Sequence, residues 1–273
     1  MKKVFISCGS TATAITLAVI AFVPEDLYIS IKPNGFSLCD NGWFIVLCRA
    51  LILCTFLGLC LGTQLLYRVF RQKITIRGKN YLIIVKYQDL FESKDEKKVI
   101  NFDECFSTKV GEAPGDIKPN SVCGQYLSKV QNLDVQRLIS ESGLKPEKRK
   151  SEYQNGNCYK AGSIIPNGDF LLMAFARLDK NGLGEMTYDE YSKCLNILWS
   201  ELDKYHGSKS VCVPILGAGC TRFDGTQPTQ QELLDIMIGS YKLSRKKLKL
   251  PYRLIIVCKK KNDFSLNKIG QML

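Results

Sequence analysis

The stretch best suited to chemistry is Ser210-Val211-Cys212-Val213-Pro214-Ile215-Leu216-Gly217-Ala218-Gly219-Cys220-Thr221-Arg222-Phe223. An apolar run leads into two glycines, and Thr229 with Glu232 then forms a capping box that opens a helix. Glycines let a backbone approach closely and turn successive N–H groups outward, which suits a diphosphate. Arg222 would add charge-assisted bonds to the same oxygens. The loop has no Gly-Lys-Ser/Thr, so it is not a Walker A motif, and Arg222 stands where a dinucleotide fingerprint needs its third glycine. The same residues would also serve as a plain tight turn.

Other candidates carry less. Asp179, Asn181, Gly184 and Glu190 fit positions 1, 3, 6 and 12 of a calcium loop. Leu183 at position 5 offers no oxygen, the preceding segment reads as a strand, and Thr187 with Glu190 starts a helix inside the loop. Calcium is therefore not expected. The twelve cysteines show no paired C-x-x-C spacing beyond the apolar segments, and His206 is the only histidine, so a zinc site lacks partners. Reduced, mostly buried thiols are expected. His206 reads as a capping or surface residue, and no Ser–His–Asp or Cys–His set stands out, so no catalytic residue is assigned.

The elements that must position the glycine loop alternate. Ile74–Ile76, Tyr81–Lys86 and Lys98–Phe102 read as strands, and Val122 to Ser140 has helical spacing. A polar, mobile connection is expected over Glu141–Asn157. Ser163–Ile165 and Phe170–Ala176 flank a Pro-Asn-Gly-Asp turn, a hairpin signal. Thr187–Tyr205 is helical, Ser210–Pro214 a strand, Thr229–Leu243 a helix and Arg253–Cys258 a buried strand. Such alternation predicts an α/β sandwich with one mixed central sheet.

That domain is not the whole chain. The net charge is +12 over 273 residues, but residues 1–67 hold only four basic and three acidic side chains. Val4–Val23 is uncharged, and Trp43–Tyr67 is apolar apart from Arg49 and Gln64, so two membrane spans are expected, about 4–23 and 43–67. A cleaved signal peptide is the other reading of the first. Arg49 can snorkel to the nearer surface or line a helix interface. Arg68, Arg71, Lys73, Arg77 and Lys79 follow the second span, whereas the loop 24–42 holds Glu25, Asp26 and Asp40 against Lys32. Positive charge stays cytoplasmic, so both termini should lie inside, with a membrane region over 1–71 and a cytosolic domain over 72–273.

The cytosolic part resembles a macro domain, and more narrowly the diverged macro domain joined to two transmembrane helices in Thoeris antiviral defence effectors of bacteria. The stretches that carry the resemblance are Tyr87-Gln88-Asp89-Leu90-Phe91, Ile100-Asn101-Phe102-Asp103, Pro119-Asn120-Ser121-Val122-Cys123-Gly124-Gln125-Tyr126 and Pro214 to Phe223. The implied fold is a macro-like three-layer α/β/α sandwich with a mixed central sheet, preceded by two transmembrane helices. The implied ligand is a nucleotide derived from ADP-ribose, with no cofactor and no metal. Asp89 would accept from the adenine amino group, with Asn101 retained beside the site. Ser121, Cys123, Gly124 and Gln125 would pass the diphosphate and distal ribose. Gly217, Ala218, Gly219, Cys220, Thr221 and Arg222 would form the phosphate loop, and Phe264 is a candidate to stack on adenine. Glu104 replaces the later asparagine of the hydrolytic members, which argues against hydrolysis.

The expected function is a membrane effector of anti-phage defence at the bacterial inner membrane, its macro domain in the cytoplasm. It would sense an amino-acid conjugate of ADP-ribose, such as the histidine conjugate, made by a partner with a TIR domain. Membrane damage and arrest of the infected cell would follow. A homo-oligomer in the bilayer is expected, and no nucleic acid. The alternatives are a membrane-anchored ADP-ribosyl hydrolase, or a basic domain that binds nucleic acid or anionic lipid through Lys242–Lys261 and Lys145–Lys150.

Overall fold

The computed structural model describes residues 24–31, 41–130, 132–260 and 264–269. The expected first span, Val4–Val23, lies outside the described residues. The chain divides into two compact units between Arg71 and Gln72.

In the first unit, α1 (Glu25–Ser30) follows Pro24, and α2 (Asn41–Val69) is a single 29-residue helix. Within α2, Gly42–Tyr67 is long and apolar enough to cross a membrane. Most of its large apolar side chains, such as Leu51, Leu59 and Leu65, are exposed, as a lipid-facing helix requires. Arg49 ion-pairs with Glu25 of α1 at 3.2 Å. At the far end the Arg71 guanidinium lies 5.5 Å over the Tyr67 ring, a pairing suited to an interface.

The second unit holds one nine-stranded sheet. β1 (Lys73–Arg77) and β2 (Leu82–Tyr87) form an antiparallel pair at one edge. β2 runs parallel to β9 (Leu254–Cys258), then follow β7 (Val211–Pro214), β3 (Lys97–Asp103) and β5 (Phe170–Leu178), all parallel. β4 (Ile164–Asn167) turns antiparallel onto β5 through Gly168, whose φ of +59° suits the expected hairpin. Two short strands, β6 (Gly184–Met186) and β8 (Arg222–Phe223), extend the far edge. β7 and β9 read as unbroken apolar runs because helices cover both faces.

One face carries α5 (Tyr188–Tyr205) and α6 (Gln230–Leu243), packed on Val85, Val99, Val211, Val213 and Ile256. The other carries α3 (Val122–Lys129) and α4 (Val135–Ser142), packed on Ile100, Phe102, Cys212 and Val257. The result is the three-layer sandwich with a mixed sheet. Both capping boxes form, Thr187 with Glu190 and Thr229 with Glu232. The Trp199 indole donates to Ser240 Oγ at 3.0 Å and meets Tyr241 edge-on, which locks α5 to α6.

Two expectations are corrected. Val122 to Ser140 is not one helix, because Asn132 takes φ +59° and Asp134 caps a new helix by accepting from the Arg137 N–H at 3.0 Å. The 141–157 connection is held rather than loose. Glu147 N–H donates to Cys158 O at 2.8 Å, Lys150 bridges to Asn157, and Arg149 reaches Glu104 at 2.6 Å.

Candidate functional site

The parallel strands β2, β7 and β9 end together, with Tyr87 opposite Cys258 and Pro214 opposite Val257. Loops beyond the carboxyl ends of such strands are where open α/β sheets bind ligands. A cleft there is lined by Asp89 and Phe91 after β2, Val122 and Gln125 of α3, Pro214 at the end of β7 and Lys259 after β9. Its void is about 50 Å³. Small-molecule sites run to roughly 300 Å³ and more, so the cleft has to widen to admit a nucleotide.

Each wall has a local cause. Asp89 caps a short 3₁₀ turn (Leu90–Glu92), its Oδ1 accepting from the Phe91 N–H at 2.8 Å. That bond fixes the carboxylate at the cleft. Ser121 is the N-cap of α3, accepting from Gly124 N–H at 3.0 Å and donating to Lys118 O at 2.7 Å. This sets the first turn of α3 so that Gln125 faces the cleft while its Nε2 donates to Asn120 O. Positive charge surrounds the opening. Lys129 lies 5.1 Å from the Phe91 ring, Lys260 lies 5.5 Å from the Tyr87 ring, and Lys259 lines the wall.

The glycine loop leaves β7 at Pro214 and returns as β8. Gly217 has φ +79°, and a Cβ there would meet the Phe223 ring at 3.0 Å, so only glycine fits. Buried Tyr191 donates its hydroxyl to Leu216 O at 3.1 Å. Gln227 braces the other leg, donating to Thr221 O at 2.9 Å and accepting from Phe223 N–H at 3.1 Å. Between these anchors Gly219 and Cys220 are exposed. Among the described residues, the amides of Ala218, Gly219 and Cys220 donate no hydrogen bond, so they remain for an anion.

Several sequence-predicted residues play other parts. Arg222 does not turn to the loop: β8 pairs with β6, and the Arg222 guanidinium meets Asp179 at 2.6 Å. Phe264 is 6% exposed and packs edge-on against Tyr87 at 5.8 Å, so it is core rather than a stacking platform. Gly124 is a packing glycine, since a Cβ would lie 2.3 Å from Lys118 O. Cys123 is buried beside it, and burial pushes its thiol pKa well up. Asn101 is half-buried within β3, in register with Met173, outside the cleft lining. Asp89 and Gln125 are the predicted positions that converge. Phe91, Lys129, Lys259, Tyr191 and Gln227 were missed as site residues, although the aromatic two positions after Asp89 was a readable signal.

The family model of the Thoeris protein ThsA macro domain matches residues 83–259. Over 233 residues the chain is 30% identical to the Thoeris protein ThsA of Bacillus amyloliquefaciens (strain Y2), covering 81% of this chain and 77% of that protein. The chain belongs to the ThsA macro-domain family. Solved structures of Oceanobacillus iheyensis macrodomains are also similar. One with ADP shares 13% identity over 70% of this chain and 89% of its own, with a TM-score of 0.43. A mutant with ADPR shares 11% over 68% of this chain and 89% of its own, with a TM-score of 0.42.

In this ThsA-type domain Glu104 is 1% exposed, its carboxylate held by Arg149 at 2.6 Å. Cys105 and Cys158 place their sulfurs within 4.8 Å of that carboxylate and of one another. Arg149 also donates to Cys158 Sγ at 3.6 Å. A guanidinium thus already supplies the positive charge of this cluster. Burial first, then Glu104, pushes the Cys158 thiol up to about 12. Asp103 is pushed up by burial against hydrogen bonds from Ser107 and Cys105. The calcium-loop spacing resolves into a turn: Asp179 Oδ1 accepts from Asn181 and Leu183 N–H, both at 2.8 Å, while Gly184–Met186 is strand.

Proposed function

We propose that this chain is a ligand-gated membrane effector of anti-phage defence, in which the macro unit binds a nucleotide derived from ADP-ribose. The observation that carries the reading is the meeting of Asp89, Gln125 and Lys259 at one cleft, whose Pro214 leads into a loop with three unengaged amides among the described residues. A carboxylate suits an adenine amino group, and free amides with nearby lysines suit a diphosphate. Glu104 is sealed by Arg149, so the position that would otherwise serve hydrolysis offers no free acid or base, which favours sensing over turnover.

The signal is an amino-acid conjugate of ADP-ribose supplied by a TIR-domain enzyme. α2 and the segment before it anchor the effector as an oligomer in the inner membrane, the macro unit facing the cytoplasm. The ligand favours a membrane-disrupting arrangement to the extent that it binds that arrangement more tightly than the resting one. Calorimetry on residues 72–273 with ADP-ribose, NAD and amino-acid conjugates tests this. Saturable binding to an ADP-ribose derivative is expected, and silence with every ligand would remove the reading.

A further inference from the structure

The most exposed large apolar side chain of the macro unit is Leu243, 87% exposed at the end of α6, and Leu250 follows at 53%. Neither belongs to the nucleotide cleft. The loop between them is not loose. Leu248 is buried at 1%, its N–H donates to Tyr241 Oη at 2.8 Å, and Leu250 N–H reaches Asn80 O of the β1–β2 turn at 3.3 Å. Two leucines are therefore held out into solvent by an anchored scaffold.

Their surroundings are cationic. Lys242, Arg245 and Lys249 lie in the same segment, and Lys79 is in the turn that Leu250 touches; all four are exposed. Among the described residues these four make no ion pair, whereas Lys246 is balanced by Asp203 at 3.2 Å. A solvated basic face gains nothing from leucines, and a nucleic-acid face would present aromatic platforms. Apolar side chains ringed by lysine and arginine match an anionic bilayer surface, where the leucines enter the acyl boundary and the cations stay with the headgroups. Only Phe70, Arg71 and Gln72 separate α2 from β1, so such a surface is always at high local concentration.

We infer that the face formed by the α6–β9 loop and the β1–β2 turn docks on anionic lipid headgroups. The inference does not depend on what the cleft binds. Residues 72–273 contain both core clusters, so this fragment can be tested against phosphatidylcholine vesicles with and without phosphatidylglycerol. Co-sedimentation is expected only with phosphatidylglycerol. Lys242→Glu with Lys249→Glu should weaken it about tenfold or more. Leu243→Ser with Leu250→Ser should also weaken it about tenfold, with unchanged melting temperature and unchanged nucleotide binding. No association with anionic vesicles overturns the inference. So does association that is indifferent to the leucines, which would mark plain charge attraction of the kind nucleic acid also gives. A change from dimer to monomer in the leucine variant would assign the patch to a second copy of the chain instead.

Discussion

Gly217 and Gly219 stand two residues apart, yet substitution acts on them by different routes. At Gly217 a side chain meets a positive φ and the buried Phe223 ring, so Gly217→Ala should cost about 1–2 kcal/mol of stability, read as a lower melting temperature. At Gly219 no atom lies within 4 Å of the added Cβ. Gly219→Asp should leave the melting temperature alone and reduce nucleotide affinity by about a hundredfold or more, since it sets a like charge against phosphate. Retained affinity in a folded Gly219→Asp protein would dissociate the loop from the ligand. The thiols give an independent readout. Of the seven cysteines after Gln72, Cys220 is the exposed one. Burial holds Cys194 and Cys258 up at about 12 and Cys212 at about 11, well above a free thiol. A maleimide should label Cys220 first, and bound nucleotide should slow it; equal labelling with and without ligand would place the phosphates elsewhere.

At the scale of elements, α3 separates packing from recognition. Gly124→Ala drives a methyl onto the Lys118 carbonyl, so melting temperature and binding should fall together, by about 1–3 kcal/mol in stability. Gln125→Ala should reduce binding at an unchanged melting temperature, because among the described residues the Gln125 side chain bonds only to Asn120 O. The β6–β8 edge depends on Asp179, whose carboxyl is held below the usual aspartate range by the Leu183 N–H, with help from Asn181 and Arg222. A lowered folded pKa gives stability that is present above the unfolded value and lost as pH falls through the folded one. Asp179→Asn should therefore flatten the acid limb of a melting-temperature profile. These elements differ in how far the sequence announced them. The capping boxes and the buried strands β7 and β9 were legible because their signals are local. β6 and β8 were not, being two or three residues long and held by pairing across 37 positions, Glu185 to Arg222. That pairing also drew Arg222 from the loop. Phe264 looked like a ligand platform because an aromatic past the last strand reads the same whether it faces a cleft or Tyr87. The Asn132–Asp134 break was readable in principle, since asparagine tolerates a left-handed backbone and aspartate caps helices.

For the whole molecule, the division between Arg71 and Gln72 decides how a nucleotide could act on a bilayer. The two core clusters lie entirely after that boundary, and none of the cleft residues lies before it. The +12 charge divides unevenly across the same boundary, with +3 over residues 1–71 and +9 over residues 72–273. On the proposed reading, recognition needs only the macro unit, while disruption of the bilayer needs the apolar helix Gly42–Tyr67. A ligand that binds the isolated unit and the full chain equally would leave no energy to shift the membrane part, since only differential affinity moves an equilibrium. Two measurements follow. Residues 72–273 should unfold cooperatively, bind the nucleotide and leave growth unaffected when produced with its source. The full chain should arrest growth under the same conditions, with an apparent affinity different from that of the fragment, by about fivefold for each kcal/mol of coupling. Identical affinities combined with arrest by the full chain would mean that the nucleotide does not drive the membrane event, and that the macro unit serves to recruit rather than to gate.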